Sequence, residues 1–98
     1  MANVPFMTAN PIYIDTAATI HVGWITIQTI VWVNDETAGD DIIATDFFEL
    51  TDTAGNIIAS KAAVYDGDDG EWIFPLGLKV NGLICTSIDG GIAKVYCA

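Results

Sequence analysis

The chain has 98 residues, enough for one small domain and no second core. Hydrophobic residues make up 52% and charged ones 16%, which excludes a disordered polyelectrolyte. Thirteen acids face three lysines and no arginine, a net charge of -10 that repels phosphate backbones and anionic bilayers; neither nucleic acid nor a membrane is an expected partner.

With half the side chains apolar and so little interior available, some apolar surface is expected outside the monomer core. An oligomer or a docking face resolves that surplus. The segment Met1-Ala2-Asn3-Val4-Pro5-Phe6-Met7 has no positive charge and no continuous apolar stretch, so it does not read as a signal peptide. Residues 1–10 read as an extended arm, with Pro5 and Pro11 holding the backbone open, and residues 11–98 as the single domain.

Ile12-Tyr13-Ile14 is the first short strand. Ile20 to Val33 carries the strongest β signal, rich in Ile, Val, Thr and Trp. It is broken by His21, Gly23, Thr26, Gln28 and Thr29 and is shorter than the roughly 20 apolar residues that span a bilayer. A straight strand of that length runs roughly 45 Å, longer than a compact domain of this size, which is about 30–35 Å across. The apolar phase also slips, since Val22 and Trp24 share one parity and Ile25 and Ile27 the other. Both facts predict a bulge or bend between Gly23 and Gln28.

Asn34 to Asp40 is a loop. In Asp41 to Leu50, helical spacing of Ile43, Phe47 and Leu50 behind an Asp40 cap competes with strand alternation; the β character of every neighbouring segment favours a strand. Thr53-Ala54-Gly55-Asn56 turns the chain into Ile57 to Val64, a hairpin. An acidic loop, Asp66-Gly67-Asp68-Asp69-Gly70, precedes Glu71-Trp72-Ile73-Phe74, a strand expected to stop at Pro75. Leu83 to Ile88 and Ile92 to Cys97 flank Asp89-Gly90-Gly91 as a further expected hairpin. About seven or eight short strands punctuated by turns predict an all-β fold, a single antiparallel β-sandwich or barrel with an extended N-terminal arm.

No catalytic constellation emerges, and no cofactor is expected. Asp66 to Glu71 crowds four carboxylates into six residues, but Gly70 and Gly77 stand where an EF-hand loop needs its fifth-position acid and its twelfth-position Glu, so a solvated acidic turn is the better reading. His21 is the sole histidine and lies in the strongest strand, a place for a structural or interface side chain. Ser60 and Ser87 sit in strands without a nucleophile elbow. Gly77-Leu78-Lys79 and Gly90-Gly91 lack phosphate-loop spacing. Cys85 and Cys97 form neither a disulfide framework nor a zinc set and read as buried free thiols. Trp24, Trp32 and Trp72 could stack on sugars, but their apolar neighbours favour core packing or an interface anchor.

The order of landmarks carries more information than any one motif. Ile30-Val31-Trp32-Val33 precedes Ala38-Gly39-Asp40; then come Leu50-Thr51-Asp52, Gly55-Asn56-Ile57-Ile58 and Trp72-Ile73-Phe74-Pro75. Val80-Asn81-Gly82-Leu83, Thr86, Gly90-Gly91 and Val95-Tyr96 close the series. Over about residues 28–97 this pattern resembles the small β-sandwich structural proteins of tailed bacteriophages, including capsid decoration (cement) proteins. Residues 1–19 lie outside the resemblance, and Phe47-Phe48-Glu49 lengthens the segment before Gly55.

The resemblance implies a non-enzymatic virion protein, assembled in the host cytoplasm and placed on the capsid surface. Its implied partners are the major capsid protein and its own copies, with a trimer favoured. An arm of this kind can lie in a groove or add a strand to a neighbour. Val4, Phe6, Met7, Ile12 and Tyr13 are therefore the expected contacts to a capsid or sister subunit. A carbohydrate-binding or adhesion module, or a tail or fibre accessory protein, is the alternative.

Overall fold

The computed structural model describes residues 10–98. The chain is all-β there, with six strands: β1 (Ile12–Ile14), β2 (Ala18–Val33), β3 (Phe47–Thr51), β4 (Ile57–Ala62), β5 (Gly70–Ile88) and β6 (Ile92–Cys97). They form one sheet in the order β1-β6-β2-β5-β3-β4, antiparallel at every pairing.

Two long strands make this sheet close over a core. At about 3.3 Å per residue, the 19 residues of β5 would extend ~60 Å if straight, yet the longest dimension of the molecule is 33 Å. The β2–β5 ribbon therefore bends; of its three register breaks, one lies between Thr19 and His21 and the other two show where the long strands turn. Between the pairs His21–Leu83 and Trp24–Asn81, β2 supplies Val22 and Gly23 while β5 supplies only Gly82. Both glycines have positive φ, +96° and +87°, a conformation that β-branched residues resist. Between Ile27–Leu78 and Thr29–Ile73, β2 supplies only Gln28, whereas β5 supplies Phe74 to Gly77. The bend expected between Gly23 and Gln28 is thus observed, as two bulges.

The second bulge corrects the reading of Pro75 as a strand terminus. Proline has no N–H to give a ladder, but here it falls in the extruded segment where β5 has no opposite partner. The strand resumes at Leu78, so the two expected strands Glu71–Phe74 and Leu83–Ile88 are parts of one, and the sheet has six strands.

The expected Leu83–Ile88 to Ile92–Cys97 hairpin is also corrected. β5 pairs with β2 and β3, while β6 pairs with β1 and β2. Asp89 to Gly91 carries the chain past the end of β2, from the strand on one side of it to the strand on the other. Its glycines are required by close approach: a Cβ at Gly91 would collide with the Val33 carbonyl and with Ile42, and one at Gly90 with Asp46 and the Asp41 carbonyl. The Thr53–Asn56 turn does form its hairpin, β3 against β4. Asp52 clasps it by accepting from the Asn56 backbone N–H at 2.9 Å and the Asn56 side-chain amide at 3.0 Å. The 41–50 segment becomes a strand only at Phe47, after a turn at Ala44 and Thr45.

Alternation assigns the inner face. Across the flank formed by β1, β6, β2 and β5, one inward row reads Ile12, Val95, Ile30, then the half-buried Trp72, and the next reads Ile14, Ala93, Trp32, then Gly70. Phe48 and Leu50 of β3, with Leu83 and Cys85 of β5, pack into the same core, as do Ile25 and Ile27 of β2 and Ile42 of the loop after it. Just outside β1, the Asn10 side chain acts as one more strand residue, donating to the Cys97 carbonyl and accepting from the Cys97 N–H, both at 3.0 Å.

Candidate functional site

The residues singled out for chemistry lie apart from one another. His21 is half-buried opposite Leu83 at the first bulge. Ser60 is exposed on β4, and the Ser87 hydroxyl donates to the Phe47 carbonyl at 3.2 Å. Cys85 and Cys97 are both free and buried, as their sequence context suggests. Burial pushes the Cys85 thiol up to about 11 and raises that of Cys97 as well, so neither is a ready nucleophile.

The acidic loop after β4 is a structural clasp. Asp68 accepts from Lys61 Nζ and from the Val64 N–H, each at 2.8 Å, and Lys61 also donates to the Asp69 carbonyl. The Lys61 hydrogen bond, seconded by that of Val64, holds the Asp68 carboxyl below the usual carboxylate range. Asp66 accepts from the Ala44 N–H at 2.9 Å, tying this loop to the one before β3. Among the described residues, no three His, Cys, Asp or Glu side chains converge as a metal set.

The three tryptophans divide. Trp32 is fully buried, stacks on Phe48 and donates its indole N–H to the Gly90 carbonyl at 2.9 Å; Trp72 is half-buried with its ring 5.7 Å from Phe48. Trp24 departs from the packing expectation. It is 64% exposed and lies under Lys79, whose Nζ is 5.4 Å from the ring centroid. Ile25 and Ile27 take the core face beside it, so alternation leaves Trp24 outside; the inward parity changes only at Gln28, before Ile30 and Trp32.

Trp24 has company. Val22 is 83% exposed and Leu76, at the tip of the second bulge, is completely exposed. On the same outer side, Tyr96, Thr29 and Ile73 form one cross-strand row, with Ile73 61% exposed. Exposed apolar side chains thus gather along the outer face of the β2–β5 ribbon, with Leu76 carried out by the second bulge itself.

A second feature is a groove of about 580 Å³ beside the loop after β2, with Tyr13, Asp35, Glu36, Thr37, Asp69 and Lys94 in its lining. A two-way backbone bridge between Asp35 and Asp40, 2.9 Å in each direction, closes that loop. Asp35 is only 3% exposed. Its Oδ1 accepts from the Ala38 N–H at 3.2 Å, while its Oδ2 is buried with no hydrogen-bond partner. Leaving a buried polar oxygen unsatisfied costs ~1–3 kcal/mol, and more when it is charged. Sequence reasoning passed over Asp35 as one loop acid among many; its isolation is a tertiary property.

Of the expected contact residues, Val4, Phe6 and Met7 lie outside the described residues. Ile12 is fully enclosed opposite Val95, so its side chain serves the core and presents no surface to a partner. Tyr13 points the other way, pairs with Lys94 across β1 and β6, and walls the groove. No protein-family model, curated protein or solved structure matches the chain.

Proposed function

We propose that this chain is a non-enzymatic structural protein of a tailed-phage virion, a capsid decoration protein that binds the outside of the head and stabilises it through protein–protein contacts. The observation that carries the protein-binding part is the set of exposed apolar side chains on β2 and β5, with Leu76, Val22 and Trp24 more exposed than a monomer in water has reason to leave them. The decoration role itself rests on the order of strand-and-turn landmarks from Ile30 to Tyr96. Contacts repeated over a shell would sum weak individual affinities by multivalency. The major capsid protein and sister copies, in a trimer, are the proposed partners.

The deciding measurement is copy number. Virions of the phage encoding the chain are purified, and the chain is quantified against the major capsid protein. A ratio approaching one supports decoration; a handful of copies indicates a tail or fibre accessory; absence from particles removes the virion reading. The exposure of Trp24 favours a second reading, a carbohydrate-binding module, because an open indole face flanked by a cation can stack on a sugar ring. Glycan-induced change in tryptophan fluorescence, lost in Trp24→Ala, would select it.

A further inference from the structure

We infer that the groove beside the Asp35–Asp40 loop is a receptor for one basic side chain, a lysine ammonium or an arginine guanidinium, projected by a partner protein. Two independent observations meet there. Asp35, Glu36 and Asp69 line one depression against a single cation, Lys94, so the groove is net negative. Within it, Asp35 is 3% exposed and its Oδ2 has no donor, although its Oδ1 is engaged by Ala38. The acids are general to this chain; among the described residues, a buried side-chain acceptor without a partner occurs only here.

The missing group must donate a hydrogen bond, and the surplus of carboxylates makes a cationic donor preferable to a neutral one. The three carboxylates share the groove without converging as a metal set, so a bare divalent ion fits less well than an N–H donor on a side chain. Tyr13 lines the same depression and supplies a ring against which a cationic head can rest. Such an occupant would also fix orientation, since β1 and β6 bring Tyr13 and Lys94 side by side on the groove wall.

The inference rests on the protein-binding reading above, and two experiments separate them. In the first, the ¹⁵N-labelled full chain is titrated with capped Gly-Lys-Gly and Gly-Arg-Gly peptides, with capped Gly-Gln-Gly, and with calcium chloride. Saturable amide shifts centred on residues 34–37, 69 and 94 with the cationic peptides alone are expected. Asp35→Asn, which keeps the Oδ1 acceptor, should weaken them about tenfold, ~1.4 kcal/mol. Asp41→Asn, an exposed acid outside the groove lining, should leave them unchanged.

Equal affinity in Asp35→Asn, shifts scattered over all acidic loops, or saturable calcium binding at these amides each overturns the inference. If Asp35→Asn does not fold, Asp69→Asn takes its place under the same criteria. In the second experiment, particle association of wild type and Asp35→Asn is compared. Association of both to the same extent sinks the groove inference and leaves the virion reading standing. Peptide binding by a wild type that never associates with particles does the reverse.

Discussion

Trp32 of β2 and Phe48 of β3 stack with ring centroids 5.4 Å apart and planes inclined by 20°, although β2 and β3 share no hydrogen bond. The stack links two strands that β5 separates in the sheet, and both rings are fully buried. Phe48 also meets Trp72 on β5, so it touches both long strands of the ribbon. Replacing Phe48 with Ala would remove the shared partner of two indoles. The expected loss is ~3–5 kcal/mol in urea or thermal unfolding, a large fraction of the ~5–15 kcal/mol that holds an ordinary domain folded. Phe48→Leu should lose markedly less.

The link after β5 makes a sharper distinction among glycines. Gly91 and Gly55 both have positive φ, +72° and +87°. A Cβ at Gly55 meets only open space, so Gly55→Ala pays backbone strain alone, about 1 kcal/mol. A Cβ at Gly91 runs into the Val33 carbonyl, a backbone atom of the central strand, and Ile42 Cγ1 lies 2.7 Å away. Gly91→Ala should therefore destabilise several-fold more than Gly55→Ala in paired melts. Equal effects would show that the crossing relaxes freely.

Acid should weaken this fold through Asp68. Its folded-state pKa lies below the ordinary carboxylate value because Lys61 and the Val64 N–H bind its charged form. Asp52 is lowered in the same way by Asn56, through its side chain first and its backbone second. For such groups the unfolded chain takes up protons first, so their stabilisation is complete above an unfolded pKa of about 3.9 and is lost as pH falls through the folded value. Unfolding midpoints measured from pH 6 down to pH 2 should drop in that acid range. Asp68→Asn should start less stable and show a shallower drop, and Lys61→Met should do the same.

The thiols offer a kinetic test. Cys85 is raised to about 11, and Cys97 is also raised, by burial among β5, β2 and β6. At pH 8 the Cys85 thiol is almost wholly protonated, burial lowers the thiolate share of Cys97 too, and reagent access requires opening. Ellman's reagent should label neither cysteine over the time in which it labels both in denaturant. Fast labelling of one thiol in native protein would locate a locally open edge.

Much of the architecture was written in local pattern. Alternation along Ile30-Val31-Trp32-Val33 and turn chemistry at Asp52 to Asn56 act over a few residues, so both were readable from the chain. The bend in β2 was readable too, because a phase slip and an excessive length pointed to the same place. Pro75 misled because its usual effect on a ladder is local, whereas its position in an extruded bulge depends on where β2 lies. The choice of β1 and β2 as neighbours of β6, in preference to β5, is likewise a long-range outcome; a Gly-Gly turn is compatible with a hairpin or a crossing. The open face of Trp24 and the isolated Oδ2 of Asp35 exist only once distant segments are assembled, and no spacing rule reports them.

The exposed apolar side chains of β2 and β5 provide the last prediction, because they can be removed without touching the core. Leu76 is fully exposed at the bulge tip, and Trp24 contacts Lys79 across the outer face. Exposed substitutions away from caps and networks change stability by about 0.5 kcal/mol or less, with up to ~1 kcal/mol more for the cation–π pair. Leu76→Ser and Trp24→Ala should therefore melt close to wild type, whereas a buried anchor at a partner interface is worth ~2 kcal/mol or more. The double variant should fold with unchanged β circular dichroism and lose particle association by well over tenfold. Retained association would move the docking face elsewhere on the domain; simultaneous loss of folding would show that the bulges need these side chains for the monomer itself.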